Sequence, residues 1–383
     1  MPRGLTLLYL GESLSAHPTL PAYLHRALAQ KGLKPVRELR IKPLDPDLPL
    51  LLQKILEEPR GDLLIAATEE SFALAGRILC TLGNEALETR EGMLLPASAE
   101  AVEPDSYRYR LQGRAVNVLR LLPWQTLPPI LLEPVAHRIY HFFTETDPLP
   151  EDLGIVDPLR ESERLPQALR ELALREVENL GIVPILPGWY RLELRGEESL
   201  DDLEASLAPW QEQMIPGPSL VESLIQYFSA TGRKITFAES CTGGRLAATF
   251  TSEPGASDIL EGSYVTYANR IKSGWLGVRE ETLRDYGAVS RECVLEMAAG
   301  ARERVPADLA VAISGIAGPT GAVPGKPVGT VYLCLRDARG PHTARLQLHG
   351  DRNAIQDQSV LYALSFIVRN EKEKIFKFFS ENS

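Results

Sequence analysis

Cysteine, histidine and long apolar runs are all scarce in this chain, and each scarcity removes a class of protein. The four cysteines, Cys80, Cys241, Cys293 and Cys334, are scattered without CxxC spacing, so neither a disulfide framework nor a structural zinc site is indicated. That usage fits a reducing cytoplasm. No block of lysine or arginine interrupts a composition whose formal net charge is −10, which argues against a nucleic-acid partner. The run Leu5–Leu10 is too short to span a membrane, is soon broken by Gly11-Glu12 and lacks a small-residue cleavage pattern; it reads as a first buried strand. Beyond Ser219 the only histidines are His342 and His349, and neither follows a strong strand beside other polar residues, so a Ser–His–Asp triad is a poor fit.

What is present is a chain of 383 residues, 44% hydrophobic, long enough for two or three domains at about 100–200 residues each. From Leu5 the pattern alternates strand and helix, with strands at Leu5–Leu10, Val36–Ile41 and Asp62–Ala67 and helices near Leu20–Lys31, Leu48–Glu57 and Phe72–Leu82. That rhythm implies a mostly parallel sheet with helices on both faces. A Pro- and acid-rich join at Asp147–Asp152 reads as a linker, and Ile215-Pro216-Gly217-Pro218 as a second break. The expected architecture is α/β: two three-layer domains with mostly parallel sheets, residues 1–146 and 215–383, joined by a small α+β insert over 147–214. The charged tail after Asn370 reads as a solvated helix end that docks weakly.

The most informative stretch is Ile235–Ala248, an apolar β-branched strand that stops at Ser240-Cys241-Thr242 and passes through Gly243-Gly244 into an alanine-rich helix. A strand-to-helix turn holds a hydroxyl at the mouth of an α/β sheet, and helix N–H groups favour anionic atoms. Taken alone, Ser240 and Thr242 fit a plain helix cap better than a catalytic role. A nucleophilic serine needs a base. With histidine disfavoured, a partly desolvated lysine is next, and before the charged tail this region holds only Lys234, Lys272 and Lys326. Lys272 follows the candidate strand Gly262–Tyr267, and neighbouring parallel strands bring Lys272 and Tyr267 to the rim where Ser240 stands. The pattern serves equally well for an exposed helix lysine and a half-buried strand tyrosine. Cys241 is a rival nucleophile or a small packing residue.

Two glycine-rich segments, Ser314–Gly321 and Gly325–Thr330, are candidates for holding a phosphate, through backbone N–H groups at Gly315, Ala317 and Gly318 in the first. The second has Pro327 where a Walker loop needs Ser or Thr, so a Walker-type NTPase is rejected. Ser290 opens a helix near Arg291 and reads first as its N-cap, second as an anion site. Arg352, after Gly350-Asp351, suits a phosphate or a surface carboxylate.

In order along the chain, Glu239-Ser240-Cys241-Thr242-Gly243-Gly244, Val265–Asn269 with Lys272, Gly287–Ser290, Ser314–Pro319, Lys326–Val331 and Gly350-Asp351-Arg352 resemble the C-terminal domain of the CinA family, whose stand-alone relatives are nicotinamide-nucleotide amidases. The resemblance implies hydrolysis of the carboxamide of nicotinamide mononucleotide to nicotinic acid mononucleotide and ammonia. It further implies Ser240 as nucleophile, Lys272 as base and Tyr267 assisting. No cofactor is implied for the amidase. Substrate contacts are expected from Thr242, Gly243, Gly244, Ser290, Gly315, Ala317, Gly318 and Arg352. The partners expected are a small-molecule nucleotide and a second copy in a homodimer, with no nucleic acid and no membrane.

The first domain resembles the family's molybdopterin-binding-like domain, which implies a metal-dependent ADP-ribose pyrophosphatase. Gly11-Glu12-Ser13-Leu14 matches its opening pattern. The glycine-rich turn and paired acids of the family are replaced by Ala66–Phe72, and its Pro-Gly-Val-Pro turn by Leu122–Pro128. Lost glycines remove the close backbone approach that a phosphate needs. The expectation is a scaffold without pyrophosphatase activity. Glu69 and Glu70 offer a divalent metal two carboxylates, but adjacent glutamates more often form a solvated helix start. Two other functions stay open: a module that binds a pyridine nucleotide without turnover, and a pyrophosphatase run from the first domain.

Overall fold

Aliphatic runs become the buried central strands. In a computed structural model, which describes residues 4–11, 14, 17, 19–42, 45–58, 61–122, 126–144, 152–153, 165–196 and 199–382, the chain divides into two units. One comprises residues 1–137 and 195–200, the other residues 138–194 and 201–383. Glu12, Ser13, Pro123–Gln125 and the join at 147–151 lie outside the described residues.

The first unit is built on β1 (Leu5–Leu10), β2 (Pro35–Ile41) and β3 (Asp62–Ala67), with the hairpin β4 (Leu87–Arg90) and β5 (Met93–Pro96) and the strands β6 (Ala101–Glu103), β7 (Ser106–Leu111) and β8 (Arg114–Arg120). The six-stranded sheet has the order β2-β1-β3-β8-β7-β6. β1 runs parallel to β2 and β3, and β3 to β8, while β7 is antiparallel to its neighbours β8 and β6. Alternation along β1 feeds both faces: Leu8 and Leu10 join the cluster of Leu52, Ile55 and Phe72, and Leu7 and Tyr9 join that of Leu24 and Leu28. Two apolar faces covered by helices make three layers. The antiparallel strands between residues 87 and 120 were not anticipated, because polar residues such as Glu88, Arg90, Arg108 and Arg110 hide their period.

The second unit contains β9 (Ala136–Phe143), β10 (Asp152–Leu153), β11 (Leu180–Leu186), β12 (Trp189–Gly196), β13 (Met214–Pro216), β14 (Ile235–Glu239), β15 (Leu260–Val265), β16 (Leu309–Gly315), β17 (Thr330–Asp337) and β18 (Gly340–Gln347), with β9 and β12 ending at the division. Its main sheet has the order β10-β18-β17-β16-β14-β15, and β11-β12-β9-β13 form a separate four-stranded sheet. β14 lies between parallel β15 and β16, whereas β17 is antiparallel to both of its neighbours, β16 and β18. Ala238, Ala310 and Ala312 on one face pack on Val294, Met297 and Ala298 of the helix Arg291–Arg304. On the other face Ile235, Phe237, Val311 and Ile313 meet residues of the helices Leu220–Ala230, Arg245–Thr251 and Arg352–Asn370.

Residues of the segment expected as a small insert share this core, since Leu186 and Trp189 belong to the same cluster as Phe237. The tail also differs from expectation. It forms the helix Lys372–Glu381, burying Ile375, Phe376 and Phe379, and the buried carboxylate of Glu371 takes Arg233 at 2.5 Å and Arg339 at 3.1 Å. The charge alternation in its sequence masked an i, i+1, i+4 apolar stripe. Among the described residues no helix is long and apolar enough to cross a membrane.

Candidate active site

β14 ends at Glu239, and both neighbouring strands grip the residues at its tip. Ser240 N–H donates to the Ile313 carbonyl at 2.9 Å, and Thr266 N–H donates to the Glu239 carbonyl at 2.8 Å. Ser240 is thereby held, only 8% exposed, at the carboxyl-end rim of the sheet. The turn then closes with Gly243 N–H on the Ser240 carbonyl at 3.1 Å. Gly243 and Gly244 have φ of +62° and +97°, which residues with a side chain rarely adopt.

Lys272 comes to this rim from the helix Asn269–Leu276. Its Nζ lies 2.9 Å from Ser240 Oγ and donates to the carbonyls of Thr266 at 2.6 Å and Tyr267 at 3.3 Å. The side chain is 1% exposed, and among the described residues no carboxylate pairs with it. Burial pulls its pKa below the ordinary lysine value of 10.5, with the Cys293 and Cys241 thiols working weakly the other way. A neutral amine has two N–H groups and one lone pair. In that form the two carbonyls would take the N–H groups and the lone pair would face the Ser240 hydroxyl.

The other expected residues fall into place unevenly. Tyr267 is 59% exposed in the loop beyond β15. Its hydroxyl accepts from Arg352 Nη2 at 2.9 Å, and among the described residues it makes no hydrogen bond to Ser240 or Lys272; only its carbonyl reaches the lysine. The assistance expected of Tyr267 is thus not visible as a hydrogen bond from its hydroxyl to either side chain among the described residues. Arg352 Nη1 also donates to the Gly318 carbonyl at 2.8 Å, so Tyr267, Gly318 and Arg352 form one cluster. Gly315 is required by crowding: a Cβ there would stand 2.7 Å from Val331 Cγ2 and 3.1 Å from Cys241 Sγ. Ala317 is buried beside it. Ser290 is the N-cap of the helix Arg291–Arg304, accepting from Cys293 N–H at 3.2 Å and donating to the Gly287 carbonyl at 2.8 Å. Among the described residues it has no hydrogen bond to Ser240, Lys272 or Arg352. Thr242 is buried, its hydroxyl without a hydrogen-bond partner among the described residues. The Cys241 thiol is pushed up to about 12 by burial, despite nearby backbone N–H groups and Lys272.

Two residues here had no assigned role in the sequence. The buried Glu239 carboxylate accepts from Gly244 and Leu246 N–H at 3.1 and 3.0 Å and from Ala247 N–H at 2.9 Å. It thus occupies the helix N-terminus that was expected to be open to an anion. The N–H groups of Cys241 and Thr242 have no backbone carbonyl partner among the described turn and loop bonds, and both lie beside the Cys241 thiol. The signal was a carboxylate immediately before a two-glycine turn into a helix. Gln356, whose Nε2 donates to the Cys241 carbonyl at 2.6 Å, had no local signal at all.

Among the described residues no three His, Cys, Asp or Glu side chains gather as a metal centre. In the first unit, Glu69 and Glu70 stand exposed in the first turn of the helix Glu69–Gly83, capped by Thr68. A Cβ on Gly11 would lie 2.6 Å from the Thr68 methyl, so that threonine fills the space beside the β1 turn.

Comparison with known proteins follows this geometry. The CinA C-terminal domain family matches residues 218–370. The nicotinamide-nucleotide amidohydrolase PncC of Escherichia coli K12 is 48% identical over 146 residues, 38% of this chain and 88% of that protein. A CinA-like protein of Thermotoga neapolitana is 41% identical over 180 residues, 46% of this chain but only 44% of its own length. A crystal structure of a CinA superfamily protein from Klebsiella pneumoniae shares 36% identity at a TM-score of 0.39, covering 40% of this chain and 96% of that one.

Proposed function

This chain belongs to the CinA family, and from that premise we propose that its second unit is an amidohydrolase acting on the carboxamide of nicotinamide mononucleotide. The observation that carries the proposal is the buried contact of 2.9 Å between Lys272 Nζ and Ser240 Oγ. An unactivated amide needs a nucleophile, a proton donor for departing ammonia and oriented N–H groups for the oxyanion. Neutral Lys272 takes the Ser240 proton as Oγ attacks the carboxamide carbon. The negative oxygen then meets the N–H groups of Cys241 and Thr242. The lysine ammonium returns its proton to the amine, the C–N bond breaks, and an ester on Ser240 remains. Water, deprotonated by the same amine, cleaves that ester to the acid and restores the hydroxyl. Arg352, held by Tyr267 and Gly318, supplies a cation at the rim for the nucleotide phosphate. The first unit serves as a scaffold without pyrophosphatase activity, consistent with the Thr68 side chain beside Gly11.

The test is ammonia release from nicotinamide mononucleotide by the purified chain, with Ser240→Ala as control. Release by the parent chain and none by the variant is expected. Saturable nucleotide binding without ammonia would replace the enzyme with a nucleotide-binding module.

A further inference from the structure

Gln356 sits five residues into the helix Arg352–Asn370 and reaches back 115 residues to the Cys241 carbonyl, with Nε2 donating at 2.6 Å. It is buried on a helix face shared with Ile355, Ser359 and Val360. An amide at such a position carries a desolvation cost that an aliphatic residue avoids, so its one donor contact is the feature to explain. That contact falls on one end of a peptide whose other end is the Thr242 N–H. In a trans peptide the C=O and the following N–H point in opposite directions, so fixing the carbonyl aims the N–H. The preceding peptide is fixed in the same manner, by Gly243 N–H on the Ser240 carbonyl at 3.1 Å, which aims the Cys241 N–H. Two successive N–H groups with fixed directions, both beside the neutral Cys241 thiol and neither taken by a backbone carbonyl among the described turn and loop bonds, make a small concavity suited to an anion.

We infer that Gln356 is a positioning residue for the hydrolysis, locking the Cys241–Thr242 peptide so that the Thr242 N–H is oriented before charge develops on the substrate oxygen. The inference rests on the amidase reading of Ser240 and Lys272. Among the described residues Gln356 makes no hydrogen bond to either of those side chains, so it acts through the peptide. Donors fixed in advance stabilise a transition state because no reorganisation is needed when the charge appears. Loss of the lock therefore lowers the rate of the chemical step and leaves ground-state binding unchanged.

The experiment compares the full chain with Gln356→Met, which keeps length but has no donor, and Gln356→Glu, which places an acceptor against the carbonyl. Ammonia release from nicotinamide mononucleotide is followed over substrate concentration and pH. The expected result is a kcat lowered by about tenfold or more with KM within about twofold. The rising limb of the pH profile stays in place, because Lys272 keeps its surroundings. A purely structural role would instead raise KM, shift the pH profile and lower the melting midpoint together, and that outcome overturns the inference. Should Gln356→Met fail to fold, Gln356→Glu decides by the same readouts. An unchanged kcat in a folded variant of an active parent overturns the positioning role alone. No ammonia from the parent chain overturns the amidase reading and this inference with it.

Discussion

Lys272 Nζ and Ser240 Oγ stand 2.9 Å apart although 32 residues separate them in the chain. The pairing is possible because β14 and β15 run parallel and deliver Ser240 and the loop before Lys272 to one rim. Ser240→Ala and Lys272→Arg are each expected to lower kcat by at least about 10²–10⁴-fold, the scale of a lost nucleophile or general base. A guanidinium stays protonated and has no lone pair for the serine proton. Substantial ammonia release by Lys272→Arg would remove the lysine from the mechanism.

On the proposed mechanism, activity follows the neutral form of Lys272. Its folded-state pKa lies below 10.5 because the ammonium is desolvated, so kcat is expected to rise with pH through that lowered value and then level off. The falling direction is the check on sign: acidification protonates the base and must reduce turnover. A pH–rate profile flat from acid to alkaline pH is incompatible with this assignment.

The Tyr267 hydroxyl belongs to Arg352 and not to the dyad. Tyr267→Phe keeps the backbone carbonyl that holds Lys272 and loses only the support of the guanidinium. Its kcat should stay within about fivefold of the parent, the size of one ordinary hydrogen bond. Arg352→Ala should act mainly on KM for the mononucleotide, and much less for nicotinamide riboside, which lacks the phosphate. Equal losses on both substrates would detach Arg352 from phosphate recognition.

Cys241 neighbours the nucleophile but its thiol, pushed up to about 12 by burial, stays protonated. Cys241→Ala should retain most of whatever turnover the parent chain shows, and a thiol-alkylating reagent should not abolish it. Rapid inactivation that Cys241→Ala abolishes would reverse the assignment of nucleophile.

Glu239 joins the end of β14 to three N–H groups at the start of the next helix. Glu239→Ala leaves those donors buried and unpaired, and is expected to cost about 1–3 kcal/mol in stability, read from denaturant unfolding. Activity should fall as well, because the same turn carries Ser240.

Much of this was legible from residue types. The strand–Ser–Gly-Gly–helix order placed Ser240, and elimination of histidine pointed to Lys272, since a parallel crossover brings consecutive strand ends together. Direction was not legible. Whether Tyr267 offers the site its hydroxyl or its carbonyl depends on how the chain leaves β15, which ends at Val265, two residues before the expected end. Nor does any local pattern announce Gln356, whose partner lies 115 residues away. Glu239 misled in another sense. A helix N-terminus following a serine suggested an open anion site, yet the residue just before that serine had already filled it. The tail was misjudged for a similar reason, because the alternating charges Glu371–Lys374 ahead of Ile375, and Lys377 within the run, hide the apolar stripe from a composition-based view.

The buried Glu371 gives that tail a further meaning. One carboxylate shut away from water is the shared counter-ion of Arg233, in the turn between the helix Leu220–Ala230 and β14, and Arg339, at the tip of the β17–β18 hairpin. Cleavage just upstream of Glu371 would leave the Arg233 guanidinium without its carboxylate, and Arg339 with Asp337 alone, beside an uncovered bed of aromatic rings. A clipped chain should therefore be a sticky, salt-sensitive species, recognisable by dye binding and precipitation long before any change in the Ser240 turn.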